Sequence, residues 1–366
     1  MRHHTPVSRH LCAAALLGCS VLDTAAAIGP VALRGGPDAH PAGVRVDSAR
    51  RLVVITAGPF HVPPAPPASH HMSMEHMQGD DSLVKQFAWP LTTLLQGLRL
   101  ELTDGDGRPL PRQLLHHLNL VNFDRRQLVY PVVERMMGFG QETEDVSIPK
   151  SIGLPMIAGQ RIGLYVMWDN ETGDALDDVY IRLTFRWAPG NLLPRPIRVM
   201  PFIIDANLVI GGHNTFPVPP GGHTQLYDFT LPVGGHLVAV GGHLHDHGIW
   251  LRLVNRTTGR TVVTVRAKRD SAGRMLGMSR ELLALRGEGP HLRADHHYRL
   301  EARYGNPTAD TLAGMMGMMV GLFAPDEDAT WPAIDPANPD YQKDLVDILG
   351  PGSTTGGMGG KHDEHR

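Results

Sequence analysis

The sequence is almost without thiols. Its 366 residues include two cysteines, Cys12 and Cys19, both ahead of the first strand-like segment. The folded part must therefore hold together without a disulfide framework. Charge is also scarce, at 19% Asp, Glu, Lys and Arg, with a net charge of −3 and no basic block. That balance argues against nucleic acid or an anionic membrane surface as a partner. Between the strand-like runs from Met200 to Phe323 nothing shows convincing helical period over a dozen residues, and the apolar run Leu11 to Leu22 is too short to span a bilayer. Glycine, proline, histidine and methionine are plentiful instead, with 41, 30, 21 and 16 copies. The first two favour many short strands joined by turns. The last two supply soft and borderline metal ligands.

The segmentation follows composition. Residues 1–27 resemble an export signal, with Arg2 and Arg9 before the apolar run and Ala25-Ala26-Ala27 as a small-residue cleavage site. Leu16-Leu17-Gly18-Cys19 offers the alternative of a lipoprotein site, with Cys19 carrying a lipid anchor. The expected location is thus periplasmic or secreted, with or without that anchor. Residues 28–48 form a Gly/Pro/Ala-rich leader expected to be poorly ordered. Strand-like runs fill 49–190 and 197–326, and the Pro- and Gly-rich stretch from Ala188 to Pro196 divides them. Arg161 to Asn170 and Val179 to Phe185 read as paired antiparallel strands. Residues 327–366 read as a polar tail with one short helix near Tyr341 to Leu349. The expectation is an all-β chain of two domains.

Three stretches carry metal-binding chemistry. Gly241-Gly242-His243-Leu244-His245-Asp246-His247 lies between two strand-like runs. Alternate strand residues share a face, so His243 and His245 point the same way as a ready pair of ligands. Leu114-Leu115-His116-His117-Leu118 sets adjacent histidines in apolar surroundings. Neighbours in a regular strand face opposite ways, so both can serve one metal only if the strand bulges there. The otherwise expected outcome is one satisfied core histidine and one exposed one. Gly314-Met315-Met316-Gly317-Met318-Met319 puts Met316 and Met318 on one strand face and Met315 and Met319 on the other. A fourth group, His70, His71, Met72, Met74, His76 and Met77, lacks apolar periodicity and reads as a loop with donors suited to copper.

In order and spacing, the adjacent histidines, the His-x-His pair and the methionine strand together resemble the copper type II, ascorbate-dependent monooxygenases, the family of peptidylglycine alpha-hydroxylating and dopamine beta-monooxygenases. The resemblance covers roughly residues 90 to 325. It implies two tandem jelly-roll β-sandwich domains, each holding one copper, with the coppers facing each other across a solvent-filled cleft. On that likeness His116 and His117 belong to an electron-transfer copper. His243, His245 and either Met316 or Met315 belong to the copper where dioxygen and substrate react. The family's third first-domain histidine has no counterpart here. Met167 and Asp169, which share a strand face, are the residues that can stand in its place.

The resemblance implies hydroxylation of a C–H bond of a small or peptide-like substrate, using dioxygen and a reductant such as ascorbate. No peptide-carboxylate clamp is recognisable. The alternative reading is a non-catalytic copper-binding protein of the periplasm or envelope. A binding or structural jelly roll is a third, and a zinc hydrolase built on His243 and His245 fits worst, because no carboxylate base sits at a recognisable spacing.

Overall fold

The structure, a computed structural model, describes residues 43–64, 84–140, 145–212, 214–286 and 288–349. The export-signal stretch, Cys19, the group from His70 to Met77 and the end of the chain lie outside those residues. The fold is all-β, two tandem jelly-roll β-sandwiches, with a single α-helix among the described residues.

The first sandwich contains β1 (Gly43–Asp47), β2 (Leu52–Val62), β3 (Val84–Ala88), β4 (Thr93–Thr103), β5 (Leu115–Arg126), β6 (Val133–Gly140), β7 (Val146–Ser147), β8 (Ile152–Met156), β9 (Arg161–Trp168) and β10 (Leu176–Ala188). One sheet runs β1-β2-β10-β4-β8, with β7 beside β4, and the other runs β3-β9-β5-β6. Successive strands cross repeatedly from one sheet to the other, the jelly-roll wrapping. Consecutive β9 and β10 accordingly sit in different sheets, which corrects the expectation that they pair. β1 likewise falls within residues expected to be a loose leader, and pairs along its length with β2. The apolar alternation explains the packing: Val53, Ile55, Leu98, Leu100, Leu118, Leu120, Leu164 and Leu183 turn inward into one core.

Beyond the Pro/Gly boundary, β11 (Ile197–Arg198) still belongs to the first sandwich, pairing with β8 in parallel. The second sandwich follows with β12 (Met200–Asp205), β13 (Phe216–Val218), β14 (His223–Thr230), β15 (Gly235–Leu244), β16 (Gly248–Asn255), β17 (Arg260–Arg269), β18 (Met275–Met278), β19 (Glu281–Leu282), β20 (His291–Leu292), β21 (His297–Tyr304), β22 (Leu312–Met315) and β23 (Gly317–Pro325). Its sheets are β12-β23-β15-β19, with β20 also beside β15, and β14-β21-β16-β17-β18. The same turn closes both sandwiches. Asn170 Nδ2 donates to the Val62 and Asp174 carbonyls while Thr172 donates to Asn170 Oδ1. Asn306 repeats this with Val218, Asp310 and Thr308. The shared Asn-x-Thr-x-Asp pattern marks the two halves as copies of one design.

The two sandwiches are tied at three places. The β5–β6 loop puts Leu128 into the second core, and Tyr130 Oη accepts the Asp205 N–H at 2.9 Å. Ile148 and Ile152 of the first sandwich pack with Val199 and Val238 of the second. The C-terminal segment then returns: Trp331 Nε1 donates to the Arg126 carbonyl, and α1 (Pro339–Leu349) lays Tyr341, Leu345 and Ile348 on Val121, Phe123 and Val133. This segment was expected to be a polar tail. Its helix is amphipathic, and its apolar face covers the outer side of the β5–β6–β9 sheet.

Asp344 anchors the helix. Its carboxylate accepts from the Val133 N–H at 3.1 Å and from both terminal nitrogens of Arg135 at 2.7 and 2.5 Å, and it is buried. Asp344→Ala leaves a backbone N–H and a guanidinium without that partner. The expected loss is about 3 kcal/mol of unfolding free energy in urea titrations, and an unchanged midpoint would show that the helix does not strap the sandwich.

Candidate metal centre

The adjacent histidines are brought together by a bulge. In the β5–β9 ladder Leu115 opposes Trp168 and His117 opposes Met167, so one extra residue is inserted at His116. Leu115 and Leu118 both turn into the first core. The two residues between them therefore project together from the outer face, and their rings stand 4.2 Å apart, centroid to centroid. This is the local distortion that the sequence required for both imidazoles to share a site. Met167, opposite His117, is buried on that same outer face. Asp169 continues the ladder through its N–H to the Leu114 carbonyl at 2.9 Å. By strand parity it lies on the Met167 side, and its Oδ1 is buried without a hydrogen-bond partner among the described residues.

The second pair comes from the end of β15. Val240 and Leu244 point into the second core, so His243 and His245 point out of it, toward the first sandwich. The chain then turns sharply, with His247 at φ +67°, and carries His247 away to the Gly273 turn. In the neighbouring β23 Met319 is fully buried in the core, and Met315, at the end of β22, packs against that core. Met318 pairs directly with His243, and Met316 lies just before Gly317, the partner of Leu244, in the break between β22 and β23. Met318 thus shares the histidine face. Tyr304 links the two segments: its Oη accepts the His245 N–H at 2.8 Å and donates to the Met316 carbonyl.

The two histidine pairs meet. The His117 and His243 rings are edge to face at 5.6 Å, and His243 and His245 at 5.1 Å. The four imidazoles therefore form one continuous chain across the seam, where the resemblance implied two sites facing over a solvent-filled cleft. Imidazoles bound to one ion through nitrogens about 2.0–2.1 Å from it hold their ring centres roughly 5 Å apart, so each consecutive pair is spaced as two ligands of one ion are. As the rings are turned, their nitrogens do not converge on one point, and closing the centre requires rotation about the side-chain bonds.

Electrostatics favour neutral ligands here. Burial, then the neighbouring His243 and His116, hold the His245 pKa down to about 4, against an opposing hydrogen bond to Gly314. Directed at the Gly314 carbonyl, one ring nitrogen carries the proton and the other keeps its lone pair. A carboxylate that the sequence reading missed lies beside them. Asp205 is in line with Met318 and His243 across three strands. Burial raises its pKa to about 6 against hydrogen bonds from Asn207 and Asn214 and the nearby His243. Nothing at sequence level set Asp205 apart, since its role depends on the pairing of β12 with β23.

No family model matches the sequence, and no curated protein matches it. Among solved structures, PBCV-1 VP54 fitted into a reconstruction of the virophage Sputnik is 7% identical, covering 74% of this chain and 93% of its own, at a TM-score of 0.31. A putative secreted protein from Eubacterium rectale is 8% identical, covering 66% and 69%, at 0.22. A chain of the Sputnik virophage is 8% identical, covering 74% and 85%, at 0.25. Likenesses this distant carry nothing about the chemistry of the histidine cluster.

The two shifted groups oppose each other in acid. His245, lowered from 6.5 to about 4, contributes stability that is full above pH 6.5 and lost as pH falls toward 4. Asp205, raised from 3.8 to about 6, contributes stability that is full below pH 3.8 and lost as pH rises through 6. In the metal-free protein, Asp205→Asn is expected to make the urea midpoint climb more steeply between pH 4 and 6 than in the parent. Equal slopes would contradict the assignment.

Proposed function

We propose that the protein binds copper at the seam of its two sandwiches and uses it as a redox centre of the copper monooxygenase class. The observation that carries this reading is the convergence of His116, His117, His243 and His245 from both sandwiches. The donor set fits the metal: neutral imidazoles accept both copper oxidation states, and the thioethers of Met318 on the same face and of Met316 just before Gly317 favour Cu(I). Bound copper would supply one-electron and dioxygen chemistry, with ascorbate or another small reductant as the electron source.

The chain's own groups do the rest. The bulge at His116 presents two ligands from the first sandwich, and the Gly314 carbonyl orients His245. Tyr304 fixes the spacing of His245 and Met316. Met167 and Asp169 stand on the His117 side as further sulfur and oxygen donors. Asp205, with a pKa near 6, can hold or release a proton next to His243 at neutral to mildly acidic pH.

A second reading, copper binding without hydroxylation, is favoured by one feature. The His117 and His243 rings already meet at 5.6 Å, where the resemblance implies a cleft between the two pairs.

Copper titration separates one shared centre from two independent ones. His116→Ala and His245→Ala are each expected to weaken the same copper by at least about tenfold, and copper-loaded protein is expected to consume oxygen with ascorbate. Two coppers lost separately would contradict the shared centre. Shared copper without oxygen uptake would favour the non-catalytic reading, and no copper would overturn both.

A further inference from the structure

At the opposite end of β15 from His243, a different set of ligand side chains comes together. His236 pairs directly across the ladder with His291 of β20, and their rings are 4.7 Å apart. Asp326 follows β23, and its two carboxylate oxygens lie 3.0 and 3.1 Å from His291 Nε2. Ligand atoms of all three residues fall within 4.8 Å of one another. His236 Nδ1 lies 3.1 Å from the Gly289 carbonyl, which can only accept. Nδ1 can therefore donate to it, which leaves Nε2 as the nitrogen available to a metal. Glu288 Oε2 is 3.5 Å from that Nε2.

The scaffold under these groups is rigid. His236 and His291 are ladder residues, and the Asp326 N–H donates to the Gly234 carbonyl at 3.0 Å. A Cβ on Gly234 would stand 2.5 Å from Asp326 Oδ2, so only glycine lets the carboxylate lie there. An exposed His291–Asp326 ion pair alone contributes little to stability, and it needs no second imidazole beside it. Two imidazoles and a carboxylate whose ligand atoms converge are what a cation site needs.

The geometry points to a second metal site, for a first-row divalent cation of the zinc class, held by His236, His291 and Asp326 with Glu288 within reach. Two imidazoles and a carboxylate match zinc and its neighbours, while calcium and magnesium take oxygen ligands. The seven residue steps from His236 to His243 along β15 span roughly 20 Å, so the site is separate from the seam cluster. A bound ion would pin the β20 strand and the exit from β23 to β15, at the root of the segment that leads to α1.

The test uses the full-length, metal-free protein, with Zn2+ and the spectroscopic probe Co2+ as the metals. His291 is exposed, so His291→Ala is expected to keep the far-UV circular dichroism of the parent, and Asp326→Asn provides a second variant. Each is expected to lose one Zn2+ per chain at equal free zinc, together with the matching Co2+ absorption. His245→Ala is expected to retain that zinc, which separates the outcome from the copper reading. Equal zinc counts in the parent and in His291→Ala would overturn the proposal, as would loss of the same zinc in His245→Ala.

Discussion

The candidate site depends on the burial of one sheet's outer face from each sandwich at a common seam. Inward residues of β5 and of β15 build separate cores, so the outward residues of those strands are what the sandwiches offer each other. Domain contacts of this kind are often mobile. Here the contact is fixed by Leu128 in the second core, Tyr130 on the Asp205 backbone, and a C-terminal helix strapped back by Asp344. With the seam closed, His117 meets His243 at 5.6 Å, ring centre to ring centre. The chemistry of the cluster is thus a consequence of how the domains dock, as well as of which residues each carries.

The same constraint sets the electrostatics. Ionising Asp205 or protonating His245 in this setting requires removing charge from water, so both pKa values move toward the neutral form. The result is a neutral imidazole at His245 and a neutral carboxyl at Asp205 at mildly acidic pH, close to the thioether of Met318. The constraint also accounts for Met318 on the histidine face, while Met315 and Met319 serve the core.

Period-two alternation made much of the fold legible in the sequence: the all-β class follows from it, and so does the expectation that His243 and His245 share a face. The His116–His117 bulge was legible only as a condition, because a bulge is set by the pairing of β5 with β9 and not by the local sequence. Asp205 and the His236–His291–Asp326 group were not legible, since their members are far apart in the chain and only strand register brings them together. The strapping role of α1 was missed because its weak apolar face has meaning only against Val121, Phe123 and Val133. The meeting of the two histidine pairs arises at the seam, which pattern within either half does not encode.

The most direct measurement is a count of imidazoles around copper by X-ray absorption, on full-length protein loaded with one Cu(I) per chain. The account predicts more than two imidazoles on that copper, drawn from both sandwiches, with the count falling in His117→Ala and in His243→Ala alike. Two imidazoles or fewer, with one of these variants leaving the spectrum unchanged, would show that the pairs act separately and would contradict a shared centre.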